Sequence, residues 1–388
     1  MKPQKTLPRS RRDRGRILKA LATRKFWQNV HLYLGLIMGL PLLIIGLTGG
    51  ILAFMPQLER WDQPEFYAVQ AEGAPLPLLD IVKRVRDEYP NTRLNHMMVF
   101  KDEPERSWII WASEARGDET LGYRLHIDPY TGRIAKDDHT DLGIAEWIEM
   151  IHTSLSLGKA GRYIVAVCSI GLIILALAGI YLWWPMRHGT LRRLSGKGAM
   201  LSWHNLLGLI FLPLLLITAF TGITQTLGDT IMPFVFSVTL SPEIPQEPKS
   251  TVPDEGEAIS IVEALKVAQE SLPGADITAM SEPGNQDGVY RFYFGHPDDF
   301  NQFGWERIYI DRFSGRIVSH FDYRQSLGGI YQAVWWSLHT GELFGFSGRI
   351  IWSISVIMIP VFVMTGLFLW LRRRARQRRS WLEWLNLT

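Results

Sequence analysis

A single cysteine, Cys168, stands among 388 residues. One thiol excludes, within the chain, a disulfide framework, an iron–sulfur cluster, a thiolate zinc site and covalent Cys-x-x-Cys-His haem attachment. A Gly-rich phosphate loop and a His-Glu-x-x-His helix are also missing, so the chemistry those motifs serve has no residues to rest on. Charge, too, is missing over long reaches. Phe26 to Leu58, Tyr163 to Met186, Gly198 to Gly228 and Ile350 to Leu371 contain no Asp, Glu, Lys or Arg. Each is at least as long as the roughly 20 residues needed to cross about 30 Å of hydrocarbon. A mean hydropathy of +0.03 hides this segregation. Buried soluble helices seldom run so far without a charge, and the sequence predicts four membrane-spanning helices.

Acid is scarce in three particular places. Residues 1–25 carry ten Lys or Arg against Asp13 alone; 187–197 carries Arg187, Arg192, Arg193 and Lys197 with no acid; 372–388 carries six Arg against Glu383. These segments hold 20 of the 41 basic residues and 2 of the 38 acidic ones, so the remainder has a balance of −15. The positive-inside rule puts both termini and the middle loop in the cytoplasm and most of the acidic remainder outside. The pI near 8.9 therefore reflects topology and makes no case for nucleic acid. The first apolar run is too long for a cleaved signal peptide and lacks a small-residue cleavage site, so an uncleaved first span is expected.

What is present repeats. His31 is followed by Gly35, Pro41, Thr48 and Gly49; His204 is followed by Gly208, Pro213, Thr221 and Gly222. Only the proline slips, by one place. His152-Thr153 is followed at 10, 27 and 31 residues by Arg162, Gly179 and Trp183. His339-Thr340 is followed by Arg349, Gly366 and Trp370 at those same offsets. Such agreement implies an internal duplication of a helix–domain–helix unit. The long segments between spans also correspond. Leu76 to Tyr89 and Ile259 to Leu272 are apolar at helical spacing and end at Pro90-Asn91 and Pro273-Gly274. Tyr123 to Ile134 and Glu306 to Ile317 each read as strand, turn and strand, with Asp128 or Asp311 opening the turn and Gly132 or Gly315 closing it. Each segment reads as a small α+β domain, and the Pro/Glu-rich stretch 241–258 as a linker. The two aspartates are better explained by those turns than by an acid/base pair.

Ionisable residues at membrane depth are costly and default to function. His96, His126, His139, His296 and His320 fall in the outer segments, where partial solvation explains them; His188 lies in the cytoplasmic loop. His31, His152, His204 and His339 are the repeated ones, at or near span ends. Orientation places His31 with His204 on the cytoplasmic side and His152 with His339 on the outer side. Two imidazoles facing across a bundle suit axial ligation of haem iron with no open site, which favours electron transfer. Gly35 and Gly208, one turn from their histidines, would admit a flat macrocycle, and Arg162 and Arg349 would pair with propionates. The competing explanations are ordinary: a helix-end His that snorkels or caps, an interface-anchoring Arg, and a packing Gly. Trp27, Trp183, Trp184, Trp203, Trp335 and Trp336 lie where an aromatic belt belongs. His152 and His339 also lie ten residues before Arg162 and Arg349, about 15 Å on a straight helix. That puts both outside the hydrocarbon unless the chain breaks at Gly158, Gly161, Gly341 or Gly345.

The duplicated strand and Asp-x-x-[Thr/Ser]-Gly-Arg-Ile turn resembles the PepSY domain. Its placement between spans that open with Trp27-x3-His31-x3-Gly35 and Trp203-His204-x3-Gly208 resembles the PepSY-associated transmembrane helix family. The resemblance covers all but the basic tails, and it is closest to the members that reduce ferric siderophores in the bacterial inner membrane. It implies b-type haem held at the positions of His31, His204, His152 and His339, and electrons passing outward to release Fe(II) in the periplasm; with one histidine pair on each face, the expectation is two bis-His haems. His188 departs from the pattern, since Arg372 to Arg374 stand where its counterpart would be.

The resulting expectation is an α-helical membrane protein with four transmembrane helices in two duplicated pairs and two small periplasmic α+β PepSY-like domains. Its parts are a basic tail (1–25), a first span (26–56), a first domain (57–150), a second span with its lead-in (151–186), a cytoplasmic loop (187–199), a third span (200–228), a second domain (229–338), a fourth span with its lead-in (339–371) and a basic tail (372–388). The expected function is a haem-dependent ferric-siderophore reductase supplied by quinol or a cytoplasmic reductase. The rival is a haem-free membrane-anchored module that binds peptide or regulates a peptidase. A siderophore transporter is the weaker third reading, because four spans with a sparse polar lining offer little alternating-access machinery.

Overall fold

A computed structural model of the chain describes residues 23–385 apart from 118, 139–141, 197, 243–245, 254–255 and 300–303; the basic segment 1–22, His139 and Lys197 lie outside the described residues. In chain order the main elements are α1 (Arg24–Leu52), α2 (Leu78–Glu88), β1 (Thr92–Met98), β2 (Trp108–Arg116), β3 (Glu119–Ile127), β4 (Ile134–Asp137), α3 (Ile144–Ser154), α4 (Gly158–Trp183), α5 (Ala199–Thr226) and α6 (Gly228–Val238). There follow α7 (Ile261–Ser271), β5 (Asp276–Ser281), β6 (Val289–Gly295), β7 (Glu306–Asp311), β8 (Ile317–Phe321), α8 (Leu327–Thr340) and α9 (Gly345–Leu385). Two compact units result: one contains α1, α4, α5 and α9, and the other is made of Phe54–Ile148 and Leu227–Gly345.

The first unit is four helices, each long and apolar enough to cross a membrane. Leu42, Cys168, Leu215, Val356 and Ile359 form its buried centre, while Ile37 and Leu40 of α1 stay 73% and 68% exposed. Large apolar side chains facing outward are what hydrocarbon, rather than water, accommodates. Close helix approach comes from small residues, as expected where lipid is as apolar as leucine. A Cβ at Gly46 would stand 2.8 Å from the carbonyl oxygen of Val356, and the Ser353 hydroxyl donates to the Gly50 carbonyl at 2.7 Å. Cys168 is a buried filler in this core.

The chain breaks before both returning spans. Between α3 and α4, Leu155, Ser156 and Gly158 take positive φ values of 49°, 57° and 56°, and a Cβ on Gly161 would collide with the Ser154 carbonyl. Between α8 and α9, Gly341 and Gly345 take φ values of 79° and 62°. The 15 Å offset expected of a straight helix therefore does not apply to His152 or His339, because neither shares a continuous helix with its arginine.

The second unit is organised by one antiparallel sheet of eight strands in the order β4-β3-β2-β1-β5-β6-β7-β8. The sequence led us to expect two small sheets. Instead β1 pairs with β5, Met97 opposite Met280 and Met98 opposite Ala279, and Val99 N–H donates to the Thr278 carbonyl at 2.8 Å. Pairing removes an open edge from each half, and open edges are a liability. One core runs across the seam: Leu94, Met97, Ile110 and Leu125 are continuous with Met280, Phe292, Phe294 and Ile310. Two amphipathic helices cover it, α2 with Ile81, Val82 and Val85 and α7 with Ile261, Ala264, Leu265 and Ala268. Ser260 caps α7, accepting from Glu263 N–H while the Glu263 carboxylate accepts from Ser260 N–H, a complete capping box. Asp128 and Asp311 do form turns: their carboxylates accept the backbone N–H groups of Tyr130 at 2.9 Å and Ser314 at 2.7 Å.

Candidate functional site

His31 sits in the second turn of α1 and His204 in the second turn of α5. Their imidazole centroids are 6.3 Å apart with ring planes at 78°. Each ring is fixed from behind. His31 Nδ1 lies 3.0 Å from the backbone carbonyl of Leu175 on α4. A carbonyl can only accept, so Nδ1 carries the proton and Nε2 carries the lone pair. His204 Nδ1 lies 2.8 Å from the hydroxyl oxygen of Thr365 on α9. That hydroxyl already donates to the Val361 carbonyl at 2.8 Å, so it accepts from His204, and again Nε2 is left as the base. Four helices thus cooperate to hold two imidazoles in the same tautomer.

This is the arrangement that metal-ligating histidines adopt: the second nitrogen is anchored to a carbonyl or similar acceptor, which sets the ring and raises the basicity of the first. Two imidazoles bonded to one ion at about 2.0 Å each have centroids about 6 Å apart, close to the separation found here. Among the described residues no group of three or more His, Cys, Asp or Glu is placed to hold a metal. A pair alone suits an ion whose other positions are filled by a prosthetic group, and haem meets that requirement. Phe362, 5.4 Å from the His204 ring, and Leu175 make the surroundings apolar.

The glycines divide into two kinds. A Cβ at Gly179 would stand 3.4 Å from His31 Cε1, so Gly179 admits that ring to the α4 backbone. By contrast, a Cβ at Gly208 would meet nothing within 4 Å, and one at Gly35 only Leu175 Cδ2 at 3.9 Å. Helix packing therefore does not explain Gly35 or Gly208, each one turn beyond its histidine on the same face.

His152, near the end of α3, is carried against the far end of α1. Its Nδ1 lies 3.0 Å from the Ile45 carbonyl and 3.2 Å from the Thr48 hydroxyl, which itself donates to the Ile44 carbonyl at 2.8 Å. A Cβ at Gly49 would come within 2.7 Å of His152 Cε1. The Thr48-Gly49 pair, visible in the sequence only as a repeated dipeptide, is thus the seat of this histidine. From His31 to Thr48 is 17 residues of one helix, about 25 Å. His339 is half-buried near the C-terminal end of α8. Arg162 is exposed and Arg349 half-buried. They lie 13 and 16 residues before Leu175 and Thr365 on their helices, about 20 Å or more away, so neither serves the His31–His204 pair. His188 is exposed.

Of the sheet unit's histidines, His320 is exposed and His96 and His296 half-buried, in keeping with the partial solvation expected of them, whereas His126 departs from it. His126 is 2% exposed, between the rings of Phe66 and Tyr67. His96 lies among Trp111, Tyr293 and Ser281, and burial, with Arg291 adding to it, pushes it down to about 4. Glu306 accepts from both His296 and His320, at 2.5 and 2.6 Å.

These features define a membrane protein of four spanning helices with a separate antiparallel sheet unit and a histidine pair held among the spans. The pattern of the PepSY-associated TM region matches residues 28–373, and the chain belongs to that family. No curated protein matches the chain.

Proposed function

We propose that this protein is a transmembrane haem-b electron-transfer protein that passes electrons outward to reduce ferric siderophores in the bacterial periplasm. The observation that carries the proposal is the His31–His204 pair, 6.3 Å between centroids, with both Nδ1–H groups engaged by Leu175 and Thr365, which leaves both Nε2 atoms as the basic nitrogens. A haem held there by His31 and His204 would supply a one-electron Fe(III)/Fe(II) couple. The protein's part is to fix ring orientation through Leu175 and Thr365 and to exclude water with apolar side chains, both of which tune a bound metal. His152, anchored in the same way about 25 Å along α1, marks a second level at which a ligand is held.

Direction follows from charge. Arg24 and Lys25 open α1, Arg187, Arg192 and Arg193 follow α4, and Arg372 to Arg374 lie toward the end of α9. By the positive-inside rule that end, with His31 and His204, faces the cytoplasm and both termini lie there. The strand order, mirrored about the β1–β5 seam, supports a duplicated unit, and the acidic balance of those segments supports a periplasmic sheet. Reduction would loosen a siderophore's grip because hard oxygen ligands favour Fe(III) over Fe(II).

The visible spectrum of the purified protein tests this reading. A Soret band, with sharp α and β bands on dithionite reduction, is expected, and His31→Ala or His204→Ala should remove part of it. Colourless protein from haem-replete cells would overturn the proposal and leave the haem-free peptide-binding module standing.

A further inference from the structure

Two arginines occupy matching places in the two halves of the sheet and have opposite surroundings. Arg124 on β3 and Arg307 on β7 each stand four residues before the turn aspartate, Asp128 or Asp311. Both are buried, 6% and 8% exposed. Arg124 is neutralised twice: its guanidinium bonds Asp137 at 2.5 Å and Glu146 at 2.5 Å, with the Tyr67 hydroxyl at 3.1 Å.

Arg307 has neither carboxylate. Asp137 sits opposite Arg124 in the β3–β4 register, and the residue opposite Arg307 in the β7–β8 register is Phe321. Glu146 stands six residues before His152, and six residues before His339 stands Ala333. Arg307 therefore lies among the rings of Phe321, Trp305 and Tyr293, at 4.6, 5.8 and 6.0 Å. Its one hydrogen bond among the described residues goes to Gln332 Oε1 at 3.4 Å, and its Nε has no partner. Arg291, the nearby guanidinium over Tyr309, is already paired with Glu247.

An arginine cannot shed its proton, and an uncompensated buried charge is strongly unfavourable. Aromatic faces attract a cation but do not replace two carboxylates. We propose that Arg307 is the anchor for a carboxylate carried by a bound ligand, which supplies from outside the counter-ion that Asp137 and Glu146 supply to Arg124. The planar guanidinium fork matches a carboxylate, and the ring cluster suits an apolar or aromatic body behind it. Gln332 and His339 lie seven residues apart on α8, about 10 Å along its axis, so if a haem is held at His339 one of its propionates would be a source of that carboxylate. In that form the inference rests on the haem reading above. The other source of the same chemistry is a carboxylate on the ferric substrate.

Full-length protein in detergent, with Arg307→Met, Phe321→Asp and Arg124→Met, separates the possibilities. Arg307→Met keeps the volume and removes the unpaired charge, so its unfolding midpoint without ligand should equal or exceed the wild type. Arg124→Met, which strands two carboxylates, should lower it. If the carboxylate is a propionate, Arg307→Met should lose haem to apomyoglobin about tenfold faster, the size of one charge-assisted hydrogen bond. If it belongs to the substrate, haem retention should be unchanged, citrate should raise the wild-type midpoint but not that of Arg307→Met, and KM for ferric citrate should rise about tenfold. Phe321→Asp, which gives Arg307 an internal counter-ion, should reproduce the Arg307→Met behaviour in whichever arm responds. The inference is overturned if Arg307→Met is destabilised as much as Arg124→Met while haem loss, citrate response and KM match the wild type. Colourless wild-type protein would remove the haem reading alone, because the citrate response of the midpoint still decides the role of Arg307.

Discussion

The imidazole of His204 donates to the hydroxyl of Thr365 across 2.8 Å, and that hydroxyl has already committed its own proton to the α9 backbone. Thr365 is thus a pure acceptor for His204 and decides which nitrogen of the ring is basic. Thr365→Val keeps the shape and removes the acceptor. Anchoring groups of this kind are worth 10- to 100-fold in metal affinity, and leaving a buried N–H unpaired costs about 1–3 kcal/mol. The expected outcome is a haem content reduced by about tenfold or more on dilution, read from the pyridine haemochrome spectrum, with Thr365→Ser close to wild type. Equal haem retention in Thr365→Val would show that the hydroxyl does not position the ring.

Gly49 and Gly179 both make room for an imidazole, but by different margins. A Cβ at Gly49 would lie 2.7 Å from His152 Cε1, whereas one at Gly179 would lie 3.4 Å from His31 Cε1. The first contact forces His152 off Ile45 and Thr48; the second asks only a small adjustment. Gly49→Ala should therefore cost about 1–3 kcal/mol, the range for overpacking a filled interior, and Gly179→Ala clearly less. Unfolding midpoints of the two variants, measured side by side, check the order. The reverse order would mean that His152 is not seated on α1 as described.

Gly35 and Gly208 present the opposite case. With little or nothing near a Cβ at either position, Gly35→Ala and Gly208→Ala should leave the unfolding midpoint unchanged or slightly raised, since alanine is the better helix former by about 1 kcal/mol. If these faces border the haem, the same variants should shift the Soret band or the reduction potential. A loss of stability with an unaltered spectrum would reassign both glycines to helix packing.

The four spans were legible because hydrocarbon demands long apolar runs and the sequence supplies them without interruption. Their ends were less so. α1 stops at Leu52 although its charge-free run continues to Leu58, because Pro56 opens a new short helix, Met55–Asp62, where its missing N–H does no harm. α9 continues past Leu371 into its arginines, since arginine is a good helix former and nothing in the backbone ends the helix where the apolar run does. The His31–His204 pair could be read from spacing and orientation, yet its anchors could not. The Leu175 carbonyl is backbone with no side-chain signature, and Thr365 has Ala178, not another threonine, at the matching offset. The β1–β5 seam was hidden for a related reason. It joins residues some 180 positions apart through two register pairs, and period-2 patterning reveals a strand without revealing its neighbour.

His96 should make the sheet unit sensitive to acid. It is half-buried between Trp111 and Tyr293 at the seam, and desolvation, reinforced by the positive charge of Arg291, pushes it down to about 4 from an ordinary 6.5. Because the folded form resists the proton that the unfolded form accepts, its contribution to stability is complete above about pH 6.5 and is lost as pH falls toward 4. The slope cannot exceed about 1.4 kcal/mol per pH unit for one group. Comparing wild type with His96→Asn isolates this residue from the many carboxylates that also titrate. Between pH 8 and 6.5 the stability difference between the two should be flat, and between 6.5 and 4.5 it should shrink steadily as the wild type loses its advantage. A difference that stays constant down to pH 4.5 would mean that His96 takes up its proton as readily in the folded chain as in water, and that the seam is open to solvent around it.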